Sequence, residues 1–150
     1  MRIKDIMTTD VITVSTSDSV EQCAKLLQEN NISGLPVLDE SGKVAGIVTE
    51  GDLIRRASRI KAPGYLEVLG GLIYLGSPGR FVEELQRAMS LEAGQLMSRD
   101  VISVKPEDSV EKAATLMVEK GINRLPVIDE KDKLVGIVSR RDIMSCLYSK

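Results

Sequence analysis

The amino-acid sequence predicts an α/β (α+β) fold built from two β-α-β-β-α repeats packed about a pseudo-twofold axis, and three observations carry that prediction. Residues 6–54 align without a gap on residues 96–144, and almost half of the aligned positions are identical. The identities include Asp10/Asp100, Asp18-Ser19-Val20-Glu21/Asp108-Ser109-Val110-Glu111, Leu35-Pro36-Val37/Leu125-Pro126-Val127, Gly46-Ile47-Val48/Gly136-Ile137-Val138 and Asp52/Asp142. Within each copy, short β-branched runs alternate with a stripe of apolar residues at helical spacing. The length of 150 residues, with 43% hydrophobic and 28% charged positions, suits one soluble body of two halves that buries roughly 68–70% of its unfolded surface. A unit of this size cannot bury its apolar face alone, so the copies should pack on each other, and any site made by the repeat should occur twice.

Each element follows in order. Val11–Val14 is short and β-branched and predicts a first strand. Ser17-Asp18-Ser19-Val20-Glu21 then offers caps and early acidic residues for a helix reaching about Glu29, with Val20, Cys23, Ala24 and Leu27 on one face. After the break at Asn30-Asn31, Leu35-Pro36-Val37-Leu38 predicts a second strand, Asp39-Glu40-Ser41-Gly42-Lys43 a turn, and Val44–Val48 a third strand. A second helix is expected from about Thr49 to Arg59. The second copy repeats the pattern, with Pro106-Glu107-Asp108 opening its first helix and Lys131-Asp132 in its turn. Pro36 and Pro126 lack an N–H for a ladder, which assigns them to a strand's beginning or an edge. The domain boundaries are then residues 1–59 for the first repeat, 60–95 for an inter-repeat insertion and helix, and 96–150 for the second repeat.

Composition removes several classes of function. A net charge of -2 and pI near 5.3 give no electrostatic footprint for nucleic acid, so no DNA or RNA partner is expected. The longest apolar run, Leu72 to Leu75, falls far short of the roughly 20 residues of a membrane span, and the N-terminus has no signal-peptide apolar region. No membrane association and a cytoplasmic location are the expectation. Cys23 and Cys146 form no CxxC and the chain has no His, so no zinc site of the common Cys/His kinds, and no metal, is expected. Both cysteines read as small buried hydrophobes. An enzyme is not predicted, because no nucleophile is paired with a base at useful spacing.

The chemistry gathers where the last strand of each repeat meets its last helix. Gly46-Ile47-Val48-Thr49-Glu50-Gly51-Asp52 and Gly136-Ile137-Val138-Ser139-Arg140-Arg141-Asp142 share the form Gly, apolar, apolar, hydroxyl, any, any, Asp. A helix N-terminus presents free N–H groups and a positive dipole end that suit a phosphate, and a carboxylate three residues on can accept both hydroxyls of a ribose diol. The same Ser/Thr-x-x-Asp spacing is also a capping box. Two features favour a site: the shorter Asp reaches back less well than Glu or Gln, and a glycine in each copy allows close approach.

Ile32-Ser33-Gly34-Leu35-Pro36-Val37 with Gly46–Asp52, and Ile122-Asn123-Arg124-Leu125-Pro126-Val127 with Gly136–Asp142, resemble the cystathionine-β-synthase (CBS) domain, and the doubled pattern resembles the tandem arrangement called a Bateman module. The resemblance covers about two thirds of the chain. It implies regulatory, non-catalytic binding of an adenosine compound (AMP, ADP, ATP or S-adenosylmethionine) in two clefts between the repeats, with no catalytic cofactor. It also implies a homodimer. Since no effector domain accompanies the repeats, the output is expected to act on an unidentified partner chain. The alternative is a ligand-free dimerisation or interaction scaffold.

Carried over by position, the resemblance implies one cleft from Thr8, Val11, Ile12, Ile32, Ser33 and Gly34 with Ser139 and Asp142. The other combines Ser98, Val101, Ile102, Ile122, Asn123 and Arg124 with Thr49 and Asp52. Val11, Ile12, Ile32 and Ile122 equally suit the core of such a fold. Arg140 and Arg141 flank the second motif where the first has Glu50 and Gly51, so the Asp142 cleft should better accept added phosphates and the two affinities should differ. Arg124, which replaces Gly34, offers a cation to the other cleft.

The segment between the repeats lies outside the family pattern. Lys61-Ala62-Pro63-Gly64 and Gly76-Ser77-Pro78-Gly79 bracket an apolar stretch containing Gly70-Gly71, and Arg80–Leu96 predicts a helix with Phe81, Leu85, Ala88 and Met89 on one stripe. With Tyr65, Tyr74 and Phe81 inside it, the segment reads either as a connection packed over the core or as a lid or partner surface.

Overall fold

In the computed structural model the backbone is described for residues 1–58, 65–68, 71–74, 78–89 and 91–149, with most side chains between 58 and 90 outside the description. The first repeat runs β1 (Val14–Ser15), α1 (Val20–Glu29), β2 (Gly34–Leu38), β3 (Val44–Thr49) and α2 (Glu50–Ser58). Between the repeats stand β4 (Tyr65–Val68), β5 (Gly71–Tyr74), α3 (Pro78–Met89) and α4 (Ala93–Leu96). The second repeat supplies α5 (Val110–Lys120), β6 (Arg124–Ile128), β7 (Leu134–Ser139) and α6 (Arg140–Tyr148).

The helices begin where a hydroxyl can take an orphan amide. Ser19 Oγ accepts from Gln22 N at 3.0 Å and Ser109 Oγ from Lys112 N at 3.1 Å. The second cap moves the start of α5 to Val110; the expected opening at Pro106-Glu107-Asp108 is instead a turn, in which the Asp108 carboxylate accepts from Lys105 N at 2.8 Å. The β2–β3 and β6–β7 hairpins share a register, Leu35↔Val48 and Leu125↔Val138, and both shift at the same place, Val37/Leu38 and Val127/Ile128. Asp39 and Asp129 fold the two turns, each Oδ1 accepting from the amides two and four residues on.

Two expectations about strands are corrected together. The predicted strand Val11–Val14 contracts to Val14–Ser15, and its counterpart to the single parallel bridge Val104↔Val127. Pro36 and Pro126 stand in the middle of β2 and β6, not at a beginning, and β2 is the central strand of its sheet. In the second repeat Val104 N donates to Pro126 O at 3.0 Å and Ile128 N to Val104 O at 2.9 Å. The next bond of this parallel series would come from the amide that Pro126 lacks, so the ladder stops there. Residues 11–13 and 101–103 are thereby released from the sheet.

The predicted helix Arg80–Leu96 is two helices, Pro78–Met89 and Ala93–Leu96. Their junction is claimed by the chain entering α1: Val20 N donates to Leu91 O and Ala93 N to Asp18 O, both at 2.7 Å. The Phe81, Leu85, Ala88 and Met89 stripe, the Tyr65 and Tyr74 side chains, and the segments 61–64 and 75–77 lie outside the described residues. The antiparallel β4–β5 ribbon, Tyr65↔Tyr74 to Val68↔Gly71, was not anticipated.

Each core borrows the segment that precedes the other repeat. Ile3 is fully buried among Val104, Val110, Leu125, Val127 and Val138, while Ala93 and Met97 are buried with Val14, Leu35, Val37 and Val48. Thr8 exchanges backbone hydrogen bonds with Ile137, both 2.9 Å, and Ser98 does so with Ile47 at 2.9 and 3.0 Å. Lys43 bridges Lys133, its own equivalent, which marks the pseudo-twofold axis. Cys23 is a core residue as expected, and burial pushes its thiol up; Cys146 is half-buried beside Met1. Among the described residues no helix is long and apolar enough to cross a membrane.

Candidate functional site

The two hydroxyl-x-x-Asp motifs fold alike. Thr49 N and Oγ1 donate to Asp52 Oδ2 at 2.8 and 3.0 Å, and Asp52 N returns a bond to Thr49 Oγ1 at 3.2 Å. Ser139 and Asp142 repeat the arrangement at 2.8, 2.9 and 3.2 Å. Aspartate therefore reaches back fully, contrary to the expectation from its length, and both motifs are true capping boxes. The cap uses a single carboxylate oxygen, and the copies differ in what the other one does. Asp52 Oδ1 accepts from Arg55 Nη2 at 2.5 Å; Ser145 stands at the equivalent place in α6, and among the described residues Asp142 Oδ1 has no hydrogen-bond partner.

The glycines of the motif serve the fold. A Cβ on Gly46 would lie 2.6 Å from Met97 Sδ and 2.7 Å from Ser98 O, and one on Gly136 would lie 2.6 Å from Met7 Sδ and 3.0 Å from Thr8 O. The close approach expected of them is that of the borrowed segments, which pair with β3 and β7 there.

Two clefts open between the repeats, of about 550 and about 480 Å³. The larger is walled by Thr8, Val11 and Ile12 from the released segment, by Ile32, Ser33 and Gly34 leading into β2, and by Ser139, Arg141 and Asp142 at the start of α6. Every residue expected there by position is present. The smaller brings Ser98, Ile102, Ile122, Asn123 and Arg124 together with Thr49 and Asp52. Val101 is the exception: it does not line the cleft. Its amide closes a turn on Arg99 O at 3.0 Å, a bond that Val11 does not make among the described residues. Sequence reasoning left out Asp10 and Asp100, one in each cleft, although their identity between repeats was a usable signal. It also left out Asn31 in the larger and Arg55 and Gly121 in the smaller; of the residues read as flanking the motifs, Arg140 lines the larger cleft, Gly51 the smaller and Glu50 both.

Arg124 was expected in one cleft and lines both. From β6 it crosses to the first repeat, Nη1 donating to Gly34 O at 3.4 Å and Nη2 to Ser33 Oγ. Burial pulls its guanidinium below the usual arginine value, while the Glu50 carboxylate acts the other way. The larger cleft adds Arg140 and Arg141 to this cation; in the smaller, Arg55 is already engaged by Asp52. Among the described residues no group of His, Cys, Asp and Glu could hold a metal ion.

Comparison with known proteins agrees with this fold. The CBS-domain model matches residues 3–59 and 93–149. The uncharacterized protein MJ1426 of Methanocaldococcus jannaschii is 34% identical over 98% of this chain and 91% of its own length, and the CBS domain-containing protein YhcV of Bacillus subtilis 30% identical over 94% and 81%. Inosine-5'-monophosphate dehydrogenase of M. jannaschii is 29% identical over 93% of this chain, which spans only 22% of that enzyme. Among solved structures, CBSX2 of Arabidopsis thaliana in complex with AMP superposes with a TM-score of 0.73 at 26% identity, covering 97% of this chain and 94% of that one. The CBS domain pair of MJ0100, in complex with 5'-methylthioadenosine and S-adenosyl-L-methionine, gives 0.73 at 27% identity, covering 97% and 98%. Matched twice along its length and superposable on such pairs over nearly all of it, the chain belongs to the CBS-domain family, as a tandem pair forming a Bateman module.

Proposed function

We propose that this chain is a regulatory, non-catalytic module that binds an adenosine compound (AMP, ADP, ATP or S-adenosylmethionine) in the two inter-repeat clefts and passes its occupancy to a partner chain. One observation carries the reading: each cleft sets the capping carboxylate of one repeat opposite the released segment and pre-β2 or pre-β6 wall of the other. Bound ligand would therefore tie the repeats together. A carboxylate oxygen suits a ribose diol, Ile12 and Ile32 or Ile102 and Ile122 suit the faces of a purine, and Arg124, Arg140 and Arg141 suit phosphates. AMP in CBSX2 and adenosyl ligands in MJ0100 support the ligand class.

The Asp142 cleft is the tighter site. Its Oδ1, unlike that of Asp52, has no hydrogen-bond partner to displace among the described residues, and it holds more cations than the Asp52 cleft. Regulation requires that the ligand bind two conformations unequally. A second copy of the chain is the proposed dimer partner, meeting the exposed Ile54 of α2 and Met144, Leu147 and Tyr148 of α6. These apolar positions are also what a ligand-free scaffold would use.

Thermal denaturation of protein stripped of copurified ligand, against AMP, ADP, ATP, S-adenosylmethionine and GTP, tests the reading, with light scattering on the same sample reporting the dimer. Ligand at a hundred times its Kd adds about 2.7 kcal/mol, a rise of about 5–10 °C in Tm for a chain of this size. The expected outcome is an adenosine-selective rise lost in Asp52→Ala/Asp142→Ala and reduced more by Asp142→Ala than by Asp52→Ala. No rise with any nucleotide would transfer the reading to the scaffold.

A further inference from the structure

Residue 34 of the first repeat and residue 124 of the second are equivalent in the internal alignment, and in the folded chain they touch. Contact between equivalents places the pair at the pseudo-twofold axis. Two long side chains would collide at such a point, and the chain has glycine in one copy and arginine in the other. A Cβ on Gly34 would already stand 2.8 Å from Arg124 Cδ. The single guanidinium lies across the axis and lines both clefts. Its hydrogen bonds go to two neutral acceptors, Ser33 Oγ and the Gly34 carbonyl, and among the described residues it forms no ion pair. Among the described residues no carboxylate pairs with it directly, and the Glu50 carboxylate acts on it only through its charge.

We propose that Arg124 is shared by the two clefts and makes them compete for phosphorylated ligands. The proposal rests on the nucleotide reading above and goes beyond it by assigning a coupling between the sites. A guanidinium presents one planar fork, and a phosphate that takes it bidentately in one cleft denies it to the other. The loss falls unequally. The larger cleft keeps Arg140 and Arg141, whereas the smaller would be left, among the described residues, with Glu50, Asp52 and Asp100 facing Arg55 alone, which Asp52 already engages. A first phosphorylated ligand in the Asp142 cleft therefore weakens a second in the Asp52 cleft, and by linkage the reverse effect is equal in size. Adenosine carries no phosphate and makes no demand on the guanidinium, so its two binding events are independent.

Isothermal titration of the full chain with AMP and with adenosine separates the possibilities. With AMP, Asp142→Ala, which empties the larger cleft, should tighten the remaining site by about tenfold relative to the second step of the wild-type isotherm, within the usual range of coupling. Asp52→Ala should act reciprocally on the larger cleft. With adenosine neither variant should alter the remaining site. Arg124→Gln should weaken AMP without weakening adenosine and should abolish the tightening; Arg124→Met, which keeps the stem, serves if the glutamine variant does not fold. An AMP affinity at the remaining site that Asp142→Ala leaves unchanged overturns the coupling while the nucleotide reading stands. Equal weakening of AMP and adenosine by Arg124→Gln reduces Arg124 to a structural role and also overturns it. If wild-type protein binds neither compound, both the reading and the coupling fall.

Discussion

Gly46 and Gly136 show how a single missing side chain decides where the two halves join. Each faces a methionine at the start of the other repeat, Met97 or Met7, at a distance no Cβ tolerates. The two sites differ in what would have to yield. At Gly136 the nearest atoms belong to a flexible thioether and the closest backbone oxygen is 3.0 Å away, whereas at Gly46 the Ser98 carbonyl is itself 2.7 Å away. Gly46→Ala should therefore destabilise the chain by about 1–3 kcal/mol, and more than Gly136→Ala, as overpacking does. Urea melts of the single variants and of the pairs with Met97→Ala and Met7→Ala check this. Truncating Met7 should rescue Gly136→Ala substantially, and truncating Met97 should rescue Gly46→Ala little, because the Ser98 carbonyl remains. Equal rescue at both positions would contradict the assignment to backbone. The sequence showed these glycines as repeated but assigned them to ligand approach; the methionines that explain them lie far off in the chain and share no local pattern with them.

At the scale of elements, legibility followed the range of the interactions that decide each boundary. The hairpins and the starts of α1, α2 and α6 were readable because their caps and turns are local, Ser19, Thr49 and Ser139 acting within three residues and Asp39 and Asp129 within four. The short β1 and the break before α4 were not, since one depends on a proline in a neighbouring strand and the other on pairing with residues 18–20. The same local turns carry a pH dependence. Asp39 is held below the ordinary aspartate range chiefly by the Ser41 hydroxyl, Asp108 by the Lys105 amide and Asp129 by the Lys133 amide. In the unfolded chain these groups titrate near pH 4, about their ordinary value. A folded value lower than the unfolded one contributes stability that is complete above about pH 4 and is lost as pH falls through the folded values. Denaturation midpoints should fall on acidification below about pH 4 and be flat with respect to these three groups from there to neutrality. Asp39→Asn/Asp129→Asn should flatten the acid limb. An unchanged limb in that double variant would remove the turns from the account.

The molecule as a whole is two cores that each close with a segment from the other side of the axis, and this exchange also builds the clefts. The chain is committed to β7 at Thr8 and to β2 at Val14, so residues 9–13 must cross the gap between repeats, and they become the wall opposite Ser139 and Asp142. Residues 99–103 cross in the other direction and contribute Asp100 and Ile102 beside Thr49 and Asp52. A repeat cut at the boundary read from the alignment, residue 96, would thus lose part of its core and one wall of a cleft together. Ile3 isolates the effect: it is fully buried, its contacts lie in the second repeat's cluster, and its amide donates to Asp108 O at 2.9 Å. Ile3→Ala should reduce stability by about 2–5 kcal/mol, the usual range for removing a buried isoleucine side chain. Hydrogen exchange followed by mass spectrometry should locate the loss in α5, β6 and β7, more than 100 residues away along the chain, while α1, β2 and β3 keep more of their protection. Ala93 and Met97 make the opposite prediction: Met97→Ala should loosen α1, β2 and β3 first. Protection lost uniformly in both variants would mean that the halves unfold as one cooperative unit. Protection lost in the first repeat for Ile3→Ala would contradict the exchange itself.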